Sequence, residues 1–394
     1  MLKKYFFQKN RLPNLQLLFT ILTVVAIPFS TTLPNIFLII SLVLLFFCKR
    51  KVEYKPLIPI SIFVISTGII YFINGNFITD FSSYSRYLLI IAFAFILINS
   101  NQIIVKKALL IGVNLAIFIS VVKMLNLYLS HGKLDLSNGD TIFKVIFIDR
   151  PFFGFLTFIA SMVTFDLAKN KEITKKIAIS LIMINIAFIF FIAARLTILS
   201  YLMAGVLYFL FFFKIKNVYK IIISAGLISV FALFASVNDN IRNRFKLDKG
   251  TEIFVDNEPR FVIWPCTIKT IENSNWITGG NNAKQITNRL AECYSEVITN
   301  PSKKDWYLNI KYNPHNQFFY IMLTSGFIGI CTFLYFLVSL FLKSKDYTKI
   351  SIAIAFLLFI TLDCVLYRQV GCYFTALVIS IIYLNNEKSL LAKK

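Results

Sequence analysis

The stretch 177–213, IAISLIMINIAFIFFIAARLTILSYLMAGVLYFLFFF, holds one charged residue, Arg195, among 36 others. As a single helix it would extend about 54 Å, far beyond a hydrocarbon core of about 30 Å, so it must fold back on itself. Basic links flank it on both sides, Lys171 to Lys176 and Lys214 to Lys220, so the chain leaves one side of a membrane and returns to it. Arg195 then falls at the outer tip of a tight helical hairpin. An arginine there is open to two readings: it faces a partner or a water-filled cavity, or it snorkels to the interface and does nothing more.

The rest of the chain agrees with that reading. Of 394 residues, 57% are hydrophobic and only 15% charged, too much apolar and too little charged surface for a water-facing shell. Runs of roughly span length lie near 14–29, 33–48, 57–73, 82–98, 105–127, 151–168, 177–194, 196–213, 221–237, 318–342, 350–366 and 369–384. The expectation is an all-α polytopic membrane protein with about twelve transmembrane helices: nine within 1–237, a large exported loop at 238–316, then three more and a tail in 317–394. The basic stretch Met1 to Arg11 precedes an apolar run, but no small-residue cleavage site follows, so it reads as a retained first span. No repeat of fixed period and no Pro/Gly/Ser linker divides the chain.

The net charge of +22, from 41 Lys+Arg against 19 Asp+Glu, would suit nucleic acid until the positions are read. The bases cluster in alternate links: Lys49, Arg50, Lys51 and Lys55; Lys106 and Lys107; Lys169, Lys171, Lys175 and Lys176; Lys214, Lys216 and Lys220; Lys343, Lys345 and Lys349. By the positive-inside bias these links and both termini face the cytoplasm, and the excess base meets anionic lipid rather than nucleic acid. Six cysteines show no CxxC or His-rich spacing, which gives a zinc site no support. Cys266 and Cys293 share the exported loop, where the spacing allows either a disulfide or two free thiols. Within that loop, Arg260 to Lys269 and Ala283 to Tyr294 are candidate short helices, separated by a turn cluster ending in Gly279, Gly280, Asn281 and Asn282.

Two histidines, His131 and His315, both fall on the exported side. His131 reads as a solvated loop residue. His315 stands where the tenth run begins; it either opens a helix with no chemical task, or it serves as a general base on a polar substrate whose lipid tail stays in the bilayer. Arg195 and Arg260 offer planar, permanently charged donor forks suited to a phosphate, although Arg260 is equally read as a surface charge offsetting Glu258. A diphosphate leaving group held by such donors requires no metal, and no DxD-like exported carboxylate cluster is present.

These residues resemble a known pattern. Arg260-Phe-Val-Ile-Trp264, the turn at Gly279 and Gly280, and Pro314-His315-Asn316-Gln317 leading into Gly326-Phe-Ile-Gly329 resemble the signature of the O-antigen ligase family, which shares a superfamily with some O-antigen polymerases. Ala193-Ala194-Arg195-Leu196-Thr197 is similar to the family's earlier arginine motif, Ser/Thr-Arg followed by small residues. The match covers mainly 190–340, and the first 150 residues agree only in hydropathy. Pro314 departs from the usual small residue before the histidine, and Gly-Gly-Asn replaces Gly-x-Gly.

The resemblance implies a GT-C-like bundle in the bacterial inner membrane with one large periplasmic loop and the active site on the periplasmic face. The implied activity is metal-independent, cofactor-free, inverting transfer of a glycan from undecaprenyl diphosphate to a sugar of lipid A-core. By motif position His315 matches the base, Arg195 and Arg260 match the diphosphate ligands, and Trp264, Asn316, Gly326 and Gly329 are supporting residues. A polymerase of the same superfamily would instead extend a second lipid-linked repeat unit. A glycolipid transporter also explains many spans, but predicts paired broken helices or internal repeats, and neither is evident.

Overall fold

The computed structural model describes residues 11–48, 52–132, 139–237 and 258–383. The basic N-terminus, the C-terminal tail, and Arg242, Arg244, Lys246 and Lys249 of the exported loop lie outside the described residues. Each of the twelve apolar runs centres on a helix: α1 (Arg11–Ala26), α2 (Thr32–Phe47), α3 (Ile58–Ile73), α4 (Phe81–Ile98), α5 (Gln102–His131), α7 (Arg150–Lys169), α8 (Lys175–Phe191), α9 (Arg195–Leu207), α10 (Asn217–Val237), α14 (Gln317–Lys343), α15 (Tyr347–Leu362) and α16 (Gln369–Tyr383). Among the described residues four shorter helices are added: α6 (Gly139–Val145), α11 (Arg260–Glu272), α12 (Ala283–Val297) and α13 (Pro301–Ile310). Among the described residues, six helical segments are long and apolar enough to cross a membrane, namely Lys55–Ile73, Phe81–Ile98, Gln102–Ser130, Arg150–Lys169, Arg195–Phe212 and Gln317–Lys343. His131 is the last residue of α5 rather than part of a loop, because the helix runs on to Gly132, whose left-handed backbone (φ 67°) ends it.

Side-chain caps fix several starts. Asn101, Thr174, Asn300 and Asp346 each accept the amide three residues on, and Asn282 forms a full capping box with Gln285, each cap worth about 1 kcal/mol. The 192–194 turn between α8 and α9 makes the hairpin expected from hydropathy. There Ala194 N–H donates to Ile189 O and Ala193 N–H to Phe190 O, with Ala193 at φ 50°. This closing motif normally carries glycine, so alanine adds about 1–2 kcal/mol of backbone strain. Arg195 is the first residue of α9.

Helices α7 and α16 lie at the centre. Every residue of α16 from Val370 to Ile382 is buried, and Phe152 and Phe155 of α7 pack with Phe359 of α15 and Phe374 of α16. Opposite-charge pairs hold other links: Lys106 binds Asp166 at 2.7 Å and Lys107 binds Glu172 at 2.8 Å. Two of the cations used to read orientation are therefore already partnered.

A second, smaller core gathers around α11, α12 and α13, with Ile263, Ile286, Leu290, Tyr294 and Tyr307 packed against Tyr320 and Leu323 of α14. Cys266 and Cys293 form a disulfide inside it. Of the two readings of this pair, the bridged one holds, and both expected loop helices are present, extending to Glu272 and Val297.

Candidate functional site

The 318–342 run forms helix α14, broken at Gly326, whose backbone (φ 59°, ψ −155°) is far from helical. A break frees amides that must be satisfied where water is scarce. The 275–281 loop satisfies them: Phe327 N–H donates to Trp276 O (2.9 Å) and Ile328 N–H to Ile277 O (3.3 Å), while Leu323 O accepts from Asn281 N–H (3.2 Å). The approach leaves no room for a side chain. A Cβ on Gly326 would stand 2.3 Å from Ile277 O, and one on Gly279 would stand 2.6 Å from Leu323 O. The loop between α3 and α4 grips the same turn from the other side, with Asn74 Nδ2 donating to Thr278 O and Asn76 Nδ2 to Gly280 O, both at 3.0 Å. Asp80 accepts the Ala283 amide at 3.0 Å. Burial raises Asp80 above the usual carboxylate range, and the Ala283 bond opposes that rise. Gly329 also sits tightly: a Cβ there would lie 2.4 Å from Ser325 Cβ.

This docked loop fixes the entry to α14, where His315 stands. Lys311 (φ 53°) ends α13, Pro314 is buried, and His315 adopts φ 46°, a conformation costing a non-glycine residue on the order of 1 kcal/mol. Its amide donates to Asn313 Oδ1 at 2.9 Å. Asn316 then caps α14, its Oδ1 accepting from Phe318 and Phe319 N–H. The imidazole is partly buried; its ring lies 5.6 Å from that of Tyr312, a phenol that burial keeps protonated.

Asp363 completes the arrangement. Its Oδ1 lies 3.5 Å from His315 Nδ1, so the carboxylate addresses one ring nitrogen and leaves Nε2 for a substrate. The segment carrying Asp363 is tied to the His315 segment: Leu366 N–H donates to Gln317 Oε1 (2.8 Å) and the Cys364 thiol to Asn316 O (3.4 Å). Trp264 packs edge-on against Phe319 at 6.0 Å, and its buried indole N–H has no hydrogen-bond partner among the described residues.

His315 and Asp363 line a cleft of about 250 Å³ together with Asp149, Arg150, Phe152 and Arg368. Neither Arg195 nor Arg260 is among its lining residues. Arg260 sits behind it: Nε and Nη2 donate to Leu362 O (3.2 and 3.0 Å) and Nη1 pairs with Glu258 (2.6 Å). Arg260 thus holds the residue immediately before Asp363 and also offsets Glu258. Arg195 begins α9 beside α7, where a Cβ on Gly154 would meet Thr197 Oγ1 and Ala194 Cβ. That contact is one turn from Arg150–Phe152, so α9 starts at the same level of the bundle as the cleft.

Residues 178–334, from α8 to the middle of α14, match a family model described as O-antigen ligase. Over that stretch the chain is similar to the O-antigen ligase family. No curated protein matches the chain significantly. The matched stretch includes Arg195, Arg260, the disulfide, the Gly279–Gly326 contact and His315, while Asp149, Arg150, Asp363 and Arg368 fall outside it. None of these four was singled out from sequence. The available signal was an ionisable residue in or beside an apolar run, which marks a functional position by default; Asp363 sits inside the 350–366 run.

Proposed function

We propose that this protein is an O-antigen ligase. In this reading it spans the inner membrane about twelve times in a GT-C-like bundle, with both termini cytoplasmic, and transfers a glycan from undecaprenyl diphosphate to a sugar hydroxyl of lipid A-core at the periplasmic face. The division into helices within 1–237, a loop at 238–316 and helices within 317–394 belongs to the same proposal. The observation that carries it is His315, held at positive φ in a cleft with a carboxylate facing Nδ1, on a chain whose 178–334 stretch matches the ligase-family model.

His315 Nε2 takes the proton of the acceptor hydroxyl as its oxygen attacks the anomeric carbon, and Asp363 stabilises the resulting imidazolium. The bond from the anomeric carbon to the diphosphate oxygen breaks on the opposite face, giving inversion, and the electron pair leaves on the diphosphate. Arg195 and Arg260 offset that charge. Arg260 reaches it with the donors that Glu258 and Leu362 leave unused, and it also orients Asp363 through Leu362.

The test is transfer by the purified full chain from undecaprenyl-diphosphate glycan to lipid A-core. His315→Ala should lower turnover by about 10²–10⁴-fold with donor binding and folding retained, whereas Arg195→Ala or Arg260→Ala should weaken donor binding. Undiminished turnover in His315→Ala removes it as the base. Extension of a second lipid-linked unit without core modification assigns the polymerase reaction instead.

A further inference from the structure

A second cleft, about 470 Å³, adjoins the His315 cleft and shares Asp149, Phe152 and Arg368 with it. Its volume is within the range of small-ligand sites. Two arginines line it, Arg86 from the first turns of α4 and Arg368 from the start of α16, and Asp149 is the one carboxylate among its lining residues. Lys123 adds a third positive charge nearby, its Nζ 3.8 Å from the centroid of the Phe147 ring that forms part of the wall.

Both guanidinium groups are held in place but only partly used. Arg86 Nη1 donates to Tyr367 O and its guanidinium carbon lies 5.0 Å from the centroid of the Tyr367 ring. Arg368 Nη1 pairs with Asp149 Oδ2, and its guanidinium lies 5.6 Å from the Phe152 ring centroid. In each, Nε and Nη2 have no partner among the described residues. Fixed planar forks with spare donors are what bidentate recognition of a phosphate requires.

We infer that this cleft binds a phosphate group of a substrate through Arg86 and Arg368, with Asp149 holding Arg368 in place when the cleft is empty and yielding it to the incoming anion. Its residues are distinct from Arg195 and Arg260, to which the leaving charge is assigned above, so a donor diphosphate bound here would gain these contacts in addition. It rests on the proposed reaction only for the source of the phosphate, which is either the polyprenyl diphosphate of the donor or a phosphate substituent on the acceptor core. Because Phe152, Asp149 and Arg368 face both clefts, a phosphate bound here lies directly beside the hydroxyl-activating histidine.

The experiment measures binding without turnover, using the full chain in detergent and three probes: inorganic pyrophosphate, undecaprenyl diphosphate and a phosphorylated core oligosaccharide. Arg86→Gln and Arg368→Gln should each weaken binding by about tenfold or more, and Arg368→Lys should restore part of it. Asp149→Asn should act in the opposite direction and tighten binding several-fold, because the competing carboxylate charge is gone. Stronger binding of the polyprenyl diphosphate than of the core probe assigns the phosphate to the donor, and the reverse assigns it to the acceptor. Binding unchanged by the arginine substitutions overturns the inference, as does weakening by all three of the neutral substitutions, which would make the Arg368–Asp149 pair a structural tie. Unfolding temperatures of the same variants separate loss of the cleft from loss of the fold. His315→Ala should leave all these affinities unchanged, so failure of the transfer reaction and failure of the cleft are read on different variants.

Discussion

Replacing Gly326 by alanine tests the joint on which the site is hung. The backbone at φ 59°, ψ −155° lies where essentially only glycine is found, and forcing another residue there costs about 1–3 kcal/mol. The new Cβ would also stand 2.3 Å from Ile277 O and 2.6 Å from Gly279 N, so the 275–281 loop must withdraw. Withdrawal breaks the bonds from Phe327 N–H to Trp276 O and from Ile328 N–H to Ile277 O, each contributing about 1 kcal/mol and leaving buried polar groups unpaired. The sum is about 3–5 kcal/mol, equivalent to local opening enhanced by about 10²–10³-fold or more. Hydrogen exchange read at the amides of residues 327 and 328 in detergent-solubilised protein measures that opening. Gly226→Ala is the control: a Cβ there meets nothing within 4 Å, and removing a mid-helix glycine should be neutral or slightly stabilising. Exchange at 327 and 328 rising less than about threefold in Gly326→Ala would mean that the loop does not depend on the break, and the account of how His315 is positioned would fail.

Three further outcomes follow from other contacts. Reducing the Cys266–Cys293 bridge, which closes a loop of 27 residues' separation, should destabilise α11 against α12 by about 3 kcal/mol and be visible as faster proteolysis between 260 and 300; equal rates with and without reductant would refute it. Asp363→Asn should lower transfer more than donor binding, since the carboxylate acts through His315; a matched loss in both would indicate a structural role instead. Burial raises Asp80 above its ordinary 3.8. The folded state therefore binds the proton more tightly, and this contribution to stability is full below that value and declines as pH rises through the folded value. Asp80→Asn should flatten that part of the profile of unfolding temperature against pH, and an unchanged profile would count against it.

The hairpin at Arg195 was readable from sequence because hydropathy accumulates over many residues and the length limit of a bilayer does the rest. The two loop helices were readable from local pattern. The break at Gly326 was not: the residue sits in an uninterrupted apolar run, and only the carbonyls of Trp276 and Ile277, about fifty residues earlier, make the break stable. Asp363 was hidden for a related reason, since one carboxylate disappears in the average of the 350–366 run, and its meeting with His315 depends on ties from Gln317 and Asn316. Arg260 was weighed as a phosphate ligand against a partner for Glu258; its bonds to Leu362 O could not be foreseen from spacing, because a main-chain acceptor leaves no mark in side-chain identity.

The partner of His315 reaches it from a segment that follows α15, so the order of synthesis matters. A nascent chain that has emerged through α14 already holds His315, the bridged loop and the glycine joint, yet lacks the facing carboxylate until residue 363 emerges and docks. In the reaction proposed above, stalled or truncated products would be inert while displaying nearly the whole described architecture, and competence would arrive abruptly with the stretch from Asp363 to Arg368.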